Sequence, residues 1–250
     1  METNHKRKRV QVCYSPGLFP LYADRESIVV VADVLRATSS MCYAFEKGVK
    51  KMIPVATVEE ALAFKNHENH IIAAERNGEI VEGFDFGNSP QTYDKIDVDG
   101  KTVVMTTTNG TKAISLAKKD HDVIIGSFLN LNAISNYLIE KNKNVILLCA
   151  GWKNKFNLED TLFCGAVVEQ LLNSEHYFSE CDSAYGAKEL YISSKNDLYD
   201  FLEVSSHRKR LKNLNIDSDV KFCLQKNITS HIPVLQGNHL VSNLITAEKI

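Results

Sequence analysis

Six short apolar runs punctuate this chain, and none of them alternates. They are Ile28–Val31, Met52–Val55, Ile71–Ala74, Val103–Met105, Val123–Ile125 and Val145–Leu148. A strand with one wet face would alternate apolar and polar residues. A run that does not alternate, rich in valine and isoleucine, suits a strand covered on both faces, as in a largely parallel sheet. Amphipathic helical segments lie between the runs, most clearly Val58–Asn66, Lys112–Lys118, Ala133–Lys141 and Leu158–Leu172. The alternation predicts an α/β fold: α/β/α layers around a largely parallel or mixed central sheet.

The C-terminal third reads differently. Ala184–Ser193, Asn196–Val204 and Ser206–Leu211 have helical patterns, while "VKFCL" and "IPVLQ" fit two strands, or a helix and one strand. With 250 residues and no Pro/Gly/Ser-rich linker, the expected organisation is one domain, residues 1–250. Residues 1–9, with the basic cluster Lys6–Arg9, are expected to be a flexible solvated tail.

A net charge of −2 gives no footprint for nucleic acid. No stretch reaches the roughly 20 apolar residues of a membrane helix, and no signal-peptide apolar region is present, so the cytoplasm is the expected location. The six cysteines are scattered without a C-x-x-C pair, which points to reduced core thiols. The expected partner is a small anionic substrate, with no nucleic acid and no membrane; a homodimer is left open.

In open α/β sheets ligands bind beyond the carboxyl ends of strands. Polar, glycine-containing text follows run after run: "ADVLRATSS", "ERNGEIVEGFDFGNSP", "TTTNGT", "GSFLN" and "CAGWKNKFNLEDTLFCG". Connections at the other ends, such as "KNKN", are plain polar turns. "TTTNGT" could hold a phosphate at a helix N-terminus, where free N–H groups and partial positive charge favour anions. It could equally be N-capping by Thr108 or Asn109. Asp33, Glu75, Asp85, Glu159 and Asp160 all fall in these segments. Hard carboxylate oxygens suit Mg²⁺, which keeps waters and takes only one or two protein ligands. Each acid has a plainer role available: helix N-terminal charge for Glu159 and Asp160, a turn acid for Asp85. Arg36 and Arg76 carry forks suited to oxyanions, or to ion pairs.

Several enzyme signatures fail. Cys149 is followed six residues on by Lys155 where a cysteine phosphatase needs arginine. "DVDG" at Asp97–Gly100 precedes a predicted strand instead of following one. Neither nucleotide-binding glycine fingerprint is present, nor G-x-S-x-G, nor H-E-x-x-H. His207 reads as a surface residue, although with Arg208 it could bind an anion.

"DVLRATSS", "ERNGEIVEGFDFGNSP", "TTTNGTKA", "GSFLNLNA", "CAGWKNKFNLEDTLFCGA" and "SSHRKRLKNLNIDSDVKFCL" with "IPVL", in this order, resemble the 2-phosphosulfolactate phosphatase (ComB) family. The resemblance implies a layered α/β fold and Mg²⁺-dependent hydrolysis of 2-phosphosulfolactate to sulfolactate and phosphate, a step of coenzyme M biosynthesis in methanogens. Carried over by position, it implies catalytic roles for Asp33, Arg36, Glu75, Arg76 and Asp160. The expected substrate-binding residues are Asn88, Thr107, Thr108 and Asn109, with Thr38 and Gly110 added from the post-strand segments themselves, and the expected magnesium ligands are Asp33, Glu75, Asp85 and Glu159. Ala73–Ala74 stand where glycines are common before Glu-Arg, and Trp152–Lys155 is a less usual filling of the "CAG" loop. The alternatives are a phosphatase of another small phosphorylated 2-hydroxy acid, and a non-catalytic organophosphate- or sulfonate-binding protein. The acids argue against the latter, since carboxylates repel an anion unless a cation intervenes.

Overall fold

The computed structural model describes residues 7–244, apart from Ala23 and Asn215. Its strands are β1 Lys8–Cys13, β2 Ile28–Ala32, β3 Lys51–Pro54, β4 His70–Arg76, β5 Glu79–Ile80, β6 Thr102–Thr106, β7 Asp122–Gly126, β8 Val145–Cys149, β9 Tyr177–Phe178, β10 His231–Gln236 and β11 His239–Leu244. They form one mixed sheet in the order β5-β4-β6-β3-β11-β10-β7-β2-β8-β1-β9. All six predicted strands are present. Val10–Cys13 forms part of a seventh major strand. Lys8 and Arg9, expected in a tail, begin that strand and pair with Tyr177 and Phe178. Residues 1–6 of the expected tail lie outside the described residues.

Two parallel blocks make up the sheet. β7, β2, β8, β1 and β9 form one, and β4, β6 and β3 the other. The β10–β11 hairpin joins them, antiparallel to β7 on one side and to β3 on the other. Counting reversals across the hairpin, the two blocks run in opposite senses along the sheet. Their carboxyl ends nonetheless line one cleft. A sheet this wide accumulates a large twist, and both blocks pack on one helix, Ala37–Glu46. That helix is buried from Ala37 to Phe45. Its Met41, Cys42 and Phe45 share a core with Val29 and Val31 of one block and Met52, Ala73, Val103 and Met105 of the other. The strands β2, β6 and β8 are buried at every residue, which accounts for their lack of alternation.

On the opposite face the long helix Leu158–Asn173 packs against the helix Asp182–Ser194. Gly165 makes this contact possible. A Cβ there would stand 2.1 Å from the Ala187 carbonyl oxygen. Of the C-terminal options, a helix and strands are observed: "VKFC" ends the helix Asp217–Cys223, and "IPVLQ" lies in β10.

Candidate active site

The turn after β2 is locked from within. The Thr38 N–H donates to the Asp33 carbonyl at 2.9 Å, and the Asp33 N–H donates to Thr38 Oγ1 at 3.0 Å. These bonds start the helix Ala37–Glu46 and aim Asp33 outward from the sheet. Thr38 is therefore fully buried as a turn closer. It does not line the cleft.

The cleft is lined by Asp33, Leu35, Arg36, Glu75, Asn77, Gly78, Asn88, Thr108, Asn109, Trp152, His207, Arg210 and Leu211. Six of these were predicted site residues: Asp33, Arg36, Glu75, Asn88, Thr108 and Asn109. Gly110 stands directly behind. A Cβ on it would lie 2.8 Å from Asp33 Oδ2 and 2.9 Å from the Ala37 Cβ, so only glycine lets the helix Gly110–Ala117 start this close to the acid.

Glu75 accepts from the Gly78 N–H at 2.5 Å, and from both the N–H and the hydroxyl of Thr108 at 3.3 Å. It thereby ties the end of β4 to the turn after β6. Arg36 is 5% exposed and forms a buried ion pair with Asp219, and its Nη2 donates to the Gly78 carbonyl at 2.9 Å. Asp219 also accepts from the Ser89 hydroxyl at 2.8 Å. Asn88 is buried in the wall, and its Oδ1 has no partner.

Glu159 and Asp160 sit under the floor. Asp160 accepts from the Val34 N–H at 2.8 Å, the Gly151 N–H at 3.2 Å and the Asn157 amide at 2.9 Å. Those bonds hold the β2 and β8 turns together. Glu159 Oε1 lies 2.5 Å from His207 Nδ1, and its Oε2 accepts from Ser205 at 3.3 Å. Burial pushes Asp33 up to about 7, with Glu75 and Glu159 adding to the rise against the pull of His207. Burial, Asp33 and Glu159 push Asp160 well above the usual carboxylate range. Burial opposes ionisation of Glu159 too, but His207 and Ser205 outweigh it and hold this acid below its ordinary value. Acids therefore crowd one end of the cleft, where the ionisation of one opposes that of the next.

Four predicted site residues are placed elsewhere. Arg76 donates to the Glu75 carbonyl at 2.7 Å and to the Thr106 hydroxyl at 3.0 Å, and as the strand neighbour of Glu75 it points the other way. Asp85 accepts from the Ile72 N–H at 2.9 Å and serves the loop as a strand mimic. Thr107 Oγ1 accepts from the Thr111 N–H at 3.2 Å, which is capping. Thr38 is the turn closer described above. Cys149 is buried against Cys164, sulfurs 3.6 Å apart, with its thiol pushed well up by burial. It does not reach the cleft.

Sequence reasoning missed Arg210 and Asp219, and met Trp152 only as part of the unusual loop after β8. His207 it offered only beside Arg208, and Arg208 turns out to be buried on Tyr199. His207 and Arg210 are three apart on the helix Ser206–Asn213, so they share a face. That spacing was visible, but a solvated basic face has the same pattern.

Among the described residues no three His, Cys, Asp or Glu side chains converge at ligating spacing. Of the four acids proposed for a metal, only Asp33 and Glu75 line the cleft. Neither acid is in an ion pair among the described residues, and two hard carboxylates fit a Mg²⁺ that takes one or two protein ligands, with water and substrate oxygens completing its shell.

The pattern of the whole chain settles its kinship. The model of the family described as 2-phosphosulpholactate phosphatase matches residues 13–238. The chain belongs to this family. A relative named "Probable 2-phosphosulfolactate phosphatase" from Thermotoga petrophila is 42% identical over 206 residues, 82% of this chain and 88% of its own. One of the same name from Caldanaerobacter subterraneus is 38% identical over 216 residues, covering 85% and 89%. Another from Clostridium acetobutylicum is 36% identical over 211 residues, covering 84% and 89%. Membership makes the chain a phosphatase, a phosphoric monoester hydrolase. No helix among the described residues is long and apolar enough to cross a membrane.

Proposed function

We propose that this family member hydrolyses 2-phosphosulfolactate to sulfolactate and phosphate in a Mg²⁺-dependent reaction at the cleft. One observation carries the reading: two carboxylates, Asp33 and Glu75, share a small cleft with two guanidinium groups, Arg36 and Arg210. Acids alone would repel a phosphoester, and arginines alone would need no acids. Together they suit an anion bridged to carboxylates by a cation.

Asp33 and Glu75 would hold the ion. When bound, it neutralises phosphoryl charge and polarises the ester. Arg36 is set in place by Asp219 and the Gly78 carbonyl, so its remaining donors meet phosphoryl oxygens without reorganisation. The Asn109 side chain and the Asn88 amide supply neutral contacts. His207 is oriented by Glu159 and gives its proton to the departing ester oxygen as water takes the phosphoryl group, and a proton shed by that water then restores the ring.

The test is phosphate release from synthetic 2-phosphosulfolactate by the purified protein, after chelation and again with Mg²⁺ restored. A panel of phosphorylated 2-hydroxy acids ranked by kcat/KM accompanies it. Metal-dependent release with 2-phosphosulfolactate ranked first is expected. Equal release in chelator, or a better substrate without a second anionic group, would overturn the reading.

A further inference from the structure

Three arginines lie in or beside the cleft, and two are already spoken for. Arg36 is ion-paired with Asp219. Arg208 donates to the Tyr199 carbonyl and lies 3.7 Å above the Tyr199 ring. Arg210 is different. It has no carboxylate partner among the described residues, and its one hydrogen bond is a long 3.5 Å contact to Ser206. Its Nη2 is buried and has no partner. Its guanidinium carbon stands 4.3 Å from the centre of the Trp152 ring, and both side chains line the cleft.

A buried N–H without an acceptor is costly unless a ligand supplies one. A guanidinium held over an indole is restricted in its motion, so its donors are partly positioned before anything binds. No carboxylate is within ion-pair distance of Arg210 among the described residues, and Glu159, below the cleft, is occupied by His207 and Ser205. The cleft therefore has two kinds of anion site: one beside acids that needs a cation, and one at Arg210 that needs none.

We propose that Arg210, held against Trp152, receives the second, non-reacting oxyanion of the substrate, and so makes the enzyme select phosphoesters with an additional sulfonate or carboxylate. This rests on the function proposed above. Arg210 then acts as a specificity residue, while the phosphoryl group lies at the Asp33–Glu75–Arg36 end. His207, on the same helix face as Arg210, lines the same cleft.

The experiment compares kcat/KM of the parent, Arg210→Ala and Trp152→Leu on three compounds. These are 2-phosphosulfolactate, 2-phospholactate, which lacks the sulfonate, and phosphoisethionate, which lacks the carboxylate. Loss of a charge-assisted contact predicts a fall of about tenfold to hundredfold for Arg210→Ala on 2-phosphosulfolactate. The fall should vanish on whichever analogue lacks the group that Arg210 holds, and Trp152→Leu should give a weaker version of the same pattern. A uniform fall on all three, or no fall on any, overturns the proposal. If the parent hydrolyses none of them, the phosphatase reading has failed instead. Calorimetric binding of sulfolactate, lactate and isethionate to parent and Arg210→Ala then reads the same comparison: a loss confined to one group supports the assignment, and unchanged binding overturns it.

Discussion

Arg36 and Asp219 are 183 positions apart in sequence and meet as a buried ion pair beneath the cleft wall. Asp219 is 2% exposed and lies in the short helix Asp217–Cys223. Its second oxygen takes the Ser89 hydroxyl, so one carboxylate ties the C-terminal region, the loop around Asn88 and the turn after β2 into one unit. The ion pair therefore both supports the structure and places the guanidinium.

Asp219→Ala should then have two effects. Leaving a buried guanidinium without its acid costs on the order of 3–5 kcal/mol, so the melting temperature should drop by roughly 6–20 °C for a chain of this size. Activity of the remaining folded protein should fall as well. Arg36→Lys keeps the charge but loses the planar fork that reaches both Asp219 and the Gly78 carbonyl. Its kcat/KM should fall while its melting temperature falls less than that of Asp219→Ala. Full activity in both variants would reduce the pair to packing.

Asp33 makes a prediction about pH. Well below pH 4 its carboxyl is protonated in folded and unfolded chains alike. As pH rises to about 7 the unfolded chain releases that proton while the folded chain keeps it. The folded state then binds more protons, so stability falls across this window. Metal-free protein should melt lower near pH 8 than near pH 5.5, and Asp33→Asn should flatten the difference. Added Mg²⁺ should raise the melting temperature more at the higher pH, where it no longer competes with a proton. Asp33→Asn should also raise the Mg²⁺ needed for half-maximal activity by about tenfold or more. Equal stabilisation by Mg²⁺ at both pH values would remove Asp33 from the metal site.

Adjacent threonines separate capping from chemistry. Thr107 closes the helix start through the Thr111 N–H, and Thr108 touches Glu75 in the cleft. Thr107→Val should cost about 1 kcal/mol of stability, the usual value of a cap, with kinetics intact. Thr108→Val should leave stability nearly unchanged and lower kcat/KM, because Glu75 loses a donor that orients it. Reversed results would return Thr107 to the site.

The sequence carried the strands because burial on both faces writes itself as unbroken valine and isoleucine. It singled out Asp33, Glu75 and Asn109, which the fold gathers at the cleft, because they stand directly after such strands, where open α/β sheets bind ligands. It could not separate Thr107 from Thr108, or Glu75 from Arg76. One residue of register decides which faces the cleft, and composition is blind to register. Asp85, readable in sequence as a ligand or as a turn acid, turns its carboxylate back to the Ile72 N–H, and composition cannot show that turn. Arg210 and Asp219 come from distant helices whose basic or acidic faces look solvated until the fold brings them to the cleft. The opposite sense of the two parallel blocks was also hidden, because the β10–β11 hairpin that reverses them lies near the far end of the chain.

His207 and Glu159 give the last prediction. The acid is fully buried and its Oε1 holds the imidazole Nδ1, which leaves Nε2 for the cleft. If His207 protonates the departing ester oxygen, its worth depends on how badly that oxygen needs a proton. An alkoxide leaving from a 2-hydroxy acid needs one, and a nitrophenolate does not. His207→Gln should therefore lower kcat on 2-phosphosulfolactate by about a hundredfold or more, within the range for general acid catalysis. On 4-nitrophenyl phosphate the same variant should lose little. Glu159→Gln removes the charge that orients the ring and should give a smaller loss with the same leaving-group dependence. A loss by His207→Gln that is equal on both esters would mean the ring only shapes the cleft. A Mg²⁺ requirement that moves with it would mean the ring acts through Asp33.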